Sequence, residues 1–271
     1  GLGNETKELD GIDRSFYRAR YKYVQFDPQI RRRFFRNKLG VAIGPAFYHY
    51  WNRYEDNEGR ILDNPQLVGL SPESVYGRKT YLGFKFNMNV HNLNNEFYPT
   101  RGIDWVNEFK YLRGIDGITQ PLTRFQSDMT IYASLAEHTR LLAVLRLGGG
   151  HIFSEHYDYF QALNIGANNF LRGFRKNRFS GNSLAYTSLE LRYRLFTLKS
   201  VVVPGSFGIV GFDDLGRVWA KGERSTKWHN AYGAGIYYLP FDIFMLSATM
   251  GFSEEGSLFN FSLGAKLNLY F

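Results

Sequence analysis

The sequence has 271 residues, of which 44% are hydrophobic and 17% are aromatic, with 28 glycines and no cysteine. This abundance of aromatic residues and glycine favours an all-β fold over a helical bundle, and the absence of cysteine excludes a disulfide scaffold, a thiolate metal site and a cysteine nucleophile. The net charge of +8 raises the question of an anionic partner, and no stretch approaches the ~18 uncharged apolar residues of a membrane-spanning helix.

Apolar and polar residues alternate with a period of two along most of the chain, which predicts β-strands. In one such segment Leu189 and Leu191 fall on one face, while Glu190 and Arg192 fall on the other. Eleven strands are predicted in chain order, at residues 14–26, 38–52, 78–90, 102–113, 123–135, 139–150, 184–197, 205–219, 229–239, 242–251 and 257–271.

This alternation is found both in soluble β-sandwiches and in transmembrane β-barrels. Strand length and the placement of aromatic residues distinguish the two folds. The predicted strands are longer than the roughly 5 to 6 residues typical of soluble proteins. Aromatic residues cluster towards the strand ends, as at residues 48–51 and 237–238, which is typical of the aromatic girdles of membrane barrels. The pattern therefore favours a transmembrane antiparallel up-and-down β-barrel.

Loop lengths agree with this interpretation, because outer-membrane barrels alternate short periplasmic turns with long outer loops. The connections at residues 53–77 and 151–183 are long, and those at 136–138 and 240–241 are tight. With the C-terminus on the periplasmic side, both long connections fall outside and both tight ones inside.

The basic residues alternate mostly onto the polar face of the predicted strands, as Arg192 and Arg194 do. In a barrel this face lines the lumen. A nucleic-acid surface needs basic side chains together with stacking aromatic rings, whereas most aromatic residues here take the opposite face. We therefore expect no nucleic-acid partner.

Four short motifs follow one another along the chain, and the chain ends in Phe271. The motifs are FYPTRG at residues 97–102, NFLRGF at 169–174 within the longest loop, SLELRY at 188–193 and GFDDLGRVW at 211–219. In this order they resemble the barrel domain of the BamA/TamA and two-partner-secretion transporter superfamily, also called the bacterial surface antigen domain. That family has a V-R-G-F/Y loop motif, an F-x-D-x-G strand motif and a P-x-x-G turn before a strand.

The resemblance implies that the loop motif folds into the lumen, where its arginine meets the strand aspartate. The loop motif here is Leu171, Arg172, Gly173 and Phe174. Phe212, Asp214 and Gly216 share one face of their strand, so Asp214 can point inward as a charge-assisted partner of Arg172, with Glu190 as a second acceptor. The sequence departs from the family's pattern at Asp213, which stands where an apolar or aromatic residue is common and would face lipid. Asp213 either lies beyond the hydrocarbon band or marks a β-bulge.

The last strand resembles the family's assembly signal. Phe271, Leu269 and Leu267 lie on one apolar face and are expected to close the barrel towards lipid. The resemblance implies a sixteen-strand barrel, so residues 1–271 are expected to be the C-terminal part of a longer barrel domain, with about five further strands and any soluble domain upstream.

The resemblance implies a non-enzymatic function in the outer membrane of a Gram-negative bacterium: insertion of β-barrel proteins or secretion of a polypeptide. An alternative is a barrel that anchors or exports a soluble domain, enzymatic or not, encoded upstream. A porin-like channel is disfavoured by the inward-folded loop. No cofactor or metal is expected; the expected partners are outer-membrane lipids including lipopolysaccharide, polypeptide clients, the N-terminal part of the barrel and accessory envelope proteins.

Overall fold

The computed structural model describes residues 3–5, 16–68, 70–135, 140–167 and 171–264. Its strands are β1 (Lys22–Phe26), β2 (Ile30–Phe34), β3 (Leu39–Trp51), β4 (Lys79–Leu93), β5 (Gly102–Gly114), β6 (Leu122–Ser134), β7 (Leu141–Ile152), β8 (Leu163–Ile165), β9 (Phe179–Gly181), β10 (Ser183–Leu198), β11 (Gly205–Trp219), β12 (His229–Pro240), β13 (Met245–Ser253) and β14 (Gly256–Gly264). The helices are short: α1 (Pro72–Tyr76) and 3-10 turns at Glu55–Asn57, Pro65–Val68 and Tyr159–Gln161. Among the described residues no helix is long and apolar enough to cross a membrane.

Twelve strands form one antiparallel sheet whose order follows the chain, β1-β3-β4-β5-β6-β7-β10-β11-β12-β13-β14, with β2 also paired to β3. Strands β8 and β9 pair with each other in a separate two-stranded sheet, called the β8-β9 hairpin here. Because neighbouring strands alternate in direction, the long β3–β4 and β7–β10 connections lie at the same end of the sheet, here called the loop end. The predicted all-β, antiparallel up-and-down fold is thereby confirmed.

The two faces of the sheet differ as the alternation predicts. On β10 the side chains of Leu189, Leu191, Tyr193 and Leu195 are 41–48% exposed. On the other face of the strand Ser188 is buried, and Glu190, Arg192 and Arg194 are half-buried. Exposed large apolar side chains along a strand suit a lipid-facing surface. On β11 the opposite face is buried, with Phe212 6% and Asp214 0% exposed.

Several features of the strand pattern differ from the predictions. The first strand begins at Lys22 rather than at residue 14, and the predicted turn at 27–37 contains β2. β13 begins at Met245 rather than at residue 242, because Phe241 and Asp242 adopt left-handed backbone angles with φ of 57° and 54°. The predicted tight turn at 136–138 lies outside the described residues.

The connection between β7 and β10, residues 153–182, folds onto the inner face of the sheet and is called the lumen loop here. It contains the 3-10 turn and the β8-β9 hairpin. Its apolar side chains form the main buried cluster with the inner face of the wall; the most buried members include Ile165, Leu171, Phe174, Phe179 and Val218. The burial of these side chains holds the loop inside the curve of the sheet.

Candidate functional site

The tip of the lumen loop, residues 171–174, is a tight turn packed against the sheet. Leu171 donates a backbone hydrogen bond to Gly166 (3.0 Å), and Phe174 donates one to Leu171 (3.0 Å). The Leu171 and Phe174 side chains are fully buried, and the Phe174 ring meets Phe179 edge-on at 5.2 Å. These apolar contacts flank Arg172 and fix the direction in which its side chain leaves the loop.

Arg172 and Asp214 form a bidentate ion pair. Arg172 Nε donates to Asp214 Oδ2 at 2.9 Å and Nη2 donates to Oδ1 at 2.7 Å. The Arg172 backbone N–H also donates to Oδ2, at 3.1 Å. The Asp214 side chain is completely buried, so this carboxylate is held by the loop rather than by water, and both side chains occupy one geometry.

The wall adds further partners to the Arg172 guanidinium. Nη1 forms an ion pair with Glu190, which also accepts a hydrogen bond from Arg192 at 2.5 Å. Ser188 donates to Asp214 at 2.7 Å, and the guanidinium lies 3.6 Å from the centroid of the Phe212 ring. Two carboxylates and an aromatic face offset the desolvation of the guanidinium, whose side chain is 19% exposed. Arg172, Asp214 and Glu190 are called the first anchor below.

Two glycines allow the backbone of the loop tip to approach β12 and β13. A Cβ at Gly173 would lie 2.7 Å from the Phe252 carbonyl oxygen and 2.9 Å from the Ala231 Cβ. A Cβ at Gly251 would lie 2.7 Å from the Arg172 carbonyl oxygen. Such distances are too short for real side chains, so close backbone contact requires glycine at both positions.

The remaining strand residues of the motif lie on both faces of β11. A Cβ at Gly216 would lie 3.1 Å from the Ile165 Cδ1, so this glycine leaves room for the β8-β9 hairpin. Asp213 is exposed and accepts a hydrogen bond from Asn230 at 3.1 Å. The pairing of β11 with both neighbours is regular at this position, so the β-bulge considered for Asp213 is wrong and the residue faces outward.

Sequence reasoning missed several contacts of the loop tip. Asn260 on β14 donates to the Arg172 carbonyl at 2.8 Å, and Ser253 on β13 donates to the Gly173 carbonyl at 2.8 Å. Neither residue has a local signal that sets it apart from other polar strand residues. The predicted C-terminal residues Phe271, Leu269 and Leu267 lie outside the described residues, so their role stays a prediction.

At the loop end of the sheet, a segment from the start of the chain is bound between β11 and β12. Asn4 is fully buried, and its side-chain amide donates to Ser225 Oγ (2.9 Å) and the Lys227 carbonyl (2.8 Å). Its side-chain oxygen accepts from the Val218 backbone N–H at 3.0 Å, and its own backbone N–H donates to Glu223 at 2.7 Å. This set of contacts satisfies the polar groups of Asn4.

His229 completes this environment. Its Nε2 lies 2.7 Å from the Asn4 carbonyl oxygen, and its Nδ1 lies 2.9 Å from the Glu254 carboxylate. Both partners are hydrogen-bond acceptors, and each lies within hydrogen-bond distance of one ring nitrogen. The pKa of Glu254 is lowered, since Lys227 donates a hydrogen bond to it, and the carboxylate is therefore charged at neutral pH.

Asn4→Ala is expected to loosen the loop end of β11. The substitution leaves the buried Val218 N–H without its acceptor, which costs about 1–3 kcal/mol. Hydrogen exchange measured by mass spectrometry should show faster exchange of the Val218 amide. Asn230→Ala, which changes an exposed asparagine on the neighbouring strand, is the control, and equal exchange in the two variants would contradict the assignment.

Within the described part of the chain, no group of three or more His, Asp or Glu side chains is placed to hold a metal ion.

Comparison with known proteins identifies a family and similar solved structures. A sequence model of the Omp85 superfamily domain matches residues 8–267. BamA from Haemophilus ducreyi lacking POTRA domains 1-3 is similar with a TM-score of 0.65 and 16% identity, and CdiB from Escherichia coli with 0.55 and 15%. Each alignment covers 90% of this chain but only 54% of the BamA chain and 42% of the CdiB chain. The chain thus spans about half the length of these proteins. A search of curated proteins found no match.

Proposed function

The chain belongs to the Omp85 superfamily of outer-membrane β-barrels, and from this premise we propose that it is the membrane-embedded part of a protein that inserts β-barrel proteins or secretes a polypeptide. The resemblance to the BamA/TamA and two-partner-secretion transporter superfamily is confirmed. The chain is accordingly a protein of the Gram-negative outer membrane.

The observation that supports this proposal is the fixed position of the loop tip inside the curve of the sheet. Arg172 is paired there with Asp214 and Glu190. Burying charged groups costs free energy that good pairing only offsets, so a loop kept there by an ion pair has a role inside the lumen. A loop across the lumen hinders the free diffusion that a porin provides, and it leaves the barrel suited to a regulated, larger substrate such as a polypeptide.

An alternative is a barrel that anchors or exports a soluble domain of the same polypeptide. The similar BamA and CdiB chains are about twice as long as the part that aligns here, and BamA has POTRA domains, so a protein of this fold can combine the barrel with other domains. In either case we propose a non-enzymatic role for the barrel itself. Outer-membrane lipids including lipopolysaccharide, polypeptide clients and accessory envelope proteins remain the proposed partners.

Depletion of the full polypeptide in its native host tests the proposal. Quantitative proteomics should show a loss of folded outer-membrane β-barrel proteins if the barrel inserts clients, or a loss of secreted polypeptides if it exports them. Complementation with the wild-type gene and with Asp213→Asn should restore the lost proteins. If both classes keep their abundance and only a domain of the same polypeptide disappears from the surface, the anchoring function replaces the proposed one.

A further inference from the structure

A second buried ion pair involves the start of the lumen loop, away from the tip at residues 171–174. Lys79, the first residue of β4, contacts Asp158 of the loop, and the side chains are 1% and 5% exposed. The other carboxylate oxygen of Asp158 accepts a hydrogen bond from Tyr81 Oη, and Tyr81 is fully buried. Along the sheet, β4 lies five strands from β11, which contributes Asp214 to the first anchor.

The loop residues beside Asp158 are bound to the same part of the wall. Phe160 stacks on Tyr50 of β3 with ring centroids 3.9 Å apart and an interplanar angle of 7°. The hydroxyl of Tyr159 lies 2.5 Å from that of Tyr50, and Tyr50 donates to the Val75 carbonyl at 3.1 Å. The loop therefore approaches β3 and β4 through stacked rings and hydrogen bonds as well as through the ion pair.

The start of this loop is itself held in one shape. Asp158 precedes the 3-10 turn Tyr159–Gln161, and its backbone N–H donates to Gln161 Oε1 at 3.0 Å. The Gln161 backbone N–H donates back to the Asp158 carbonyl at 2.8 Å. A rigid turn directs the Asp158 carboxylate towards β4, so less conformational entropy is lost when the ion pair forms.

We propose that Asp158, Lys79 and Tyr81 form a second anchor that keeps the lumen loop inside the barrel when the first anchor at Arg172 is released. With both anchors closed, the loop spans the lumen from β4 to β11. Release of the tip alone lets residues 171–174 move while the start of the loop stays on β4. The second anchor therefore acts as the fixed end of a movable loop. This inference rests on the proposed function, since it describes how passage through that lumen is controlled.

The two anchors can be separated by conductance measurements in planar lipid bilayers, with the full polypeptide and no client. Asp214→Asn disrupts the ion pair of the first anchor, and Asp158→Asn disrupts that of the second. Because the loop stays in the lumen while one anchor holds, each single variant should conduct little more than the wild type. The double variant should show an open probability about tenfold or more above either single variant.

Glu155→Gln is the matched control. Glu155 lies in the same loop, three positions before Asp158, and its ion pair with Lys221 is long and exposed, at 3.8 Å and 78% and 66% exposure. Surface pairs of this kind contribute little, so Glu155→Gln combined with Asp214→Asn should conduct like Asp214→Asn alone. If Asp158→Asn combined with Asp214→Asn also conducts like Asp214→Asn alone, the second anchor is wrong.

Tyr81→Phe covers the case in which Asp158→Asn prevents folding. This variant removes one hydroxyl and keeps the charges of Lys79 and Asp158. Heat-modifiable gel mobility shows whether the variant barrel has folded. Combined with Asp214→Asn, it should raise the open probability above that of Asp214→Asn, and an unchanged value would refute the second anchor. If the double variant conducts as expected while depletion of the protein changes the abundance of no client, the second anchor is supported, and the assembly or secretion function is wrong.

Discussion

Asp214→Asn is expected to release the loop tip from the wall of the barrel. The Asp214 carboxylate is fully buried and accepts two hydrogen bonds from the Arg172 guanidinium, one from the Arg172 backbone and one from Ser188. Asparagine keeps the size of the side chain but removes its charge, and Arg172 is left with Glu190, which Arg192 shares. Loss of one partner of a buried ion pair costs about 3–5 kcal/mol.

A thiol placed under the loop tip can measure this release. The natural sequence has no cysteine, so Ser188→Cys introduces one reporter, at a position that is 6% exposed. In this background Asp214→Asn should strongly accelerate labelling by a water-soluble maleimide. Asp213→Asn, on the exposed face of the same strand, is the matched control. Equal labelling rates in the two variants would show that the ion pair does not hold the tip.

The strands of the wall can be predicted because a period of two needs only local sequence. For β11 the alternation predicts residues 205–219, and the strand has those bounds. β2 was missed because its sequence IRRRF hides the alternation and its pairing with β3 depends on a turn. In that turn Phe35, Arg36 and Asn37 all adopt left-handed angles, with φ of 50°, 56° and 69°, which only Asn commonly does.

The two anchors differ in what the sequence reveals of them. The residues of the first anchor belong to motifs whose order along the chain resembles a known family. Lys79 and Asp158 are 79 positions apart, and neither has a local sequence signal that sets it apart from other charged residues. The curvature of the sheet and the fold of the loop bring them together, and neither can be derived from local periodicity. Tertiary contacts of this kind need a structure.

Gly173→Ala is expected to displace the loop tip while leaving every charge of the first anchor in place. The added Cβ would lie 2.7 Å from the carbonyl oxygen of Phe252. That atom belongs to the backbone of a paired strand, so it cannot rotate away as a flexible side chain would. Overpacking of this kind costs about 1–3 kcal/mol, and the thiol at position 188 should react faster than in the parent protein but more slowly than with Asp214→Asn.

Gly211→Ala is the matched control for the glycine variant, because it adds the same methyl group to β11 where the nearest atom, the Gly233 carbonyl oxygen, lies 3.9 Å away. Labelling should therefore stay at the parent rate. If Gly173→Ala also labels at the parent rate, close backbone approach is not needed to seat the tip, and the ion pair suffices. If it instead labels as fast as Asp214→Asn, the ion pair cannot hold the tip without the backbone contact, since Arg172 and Asp214 are both still present. The two contacts would then act as one unit, in which neither is effective when the other is lost.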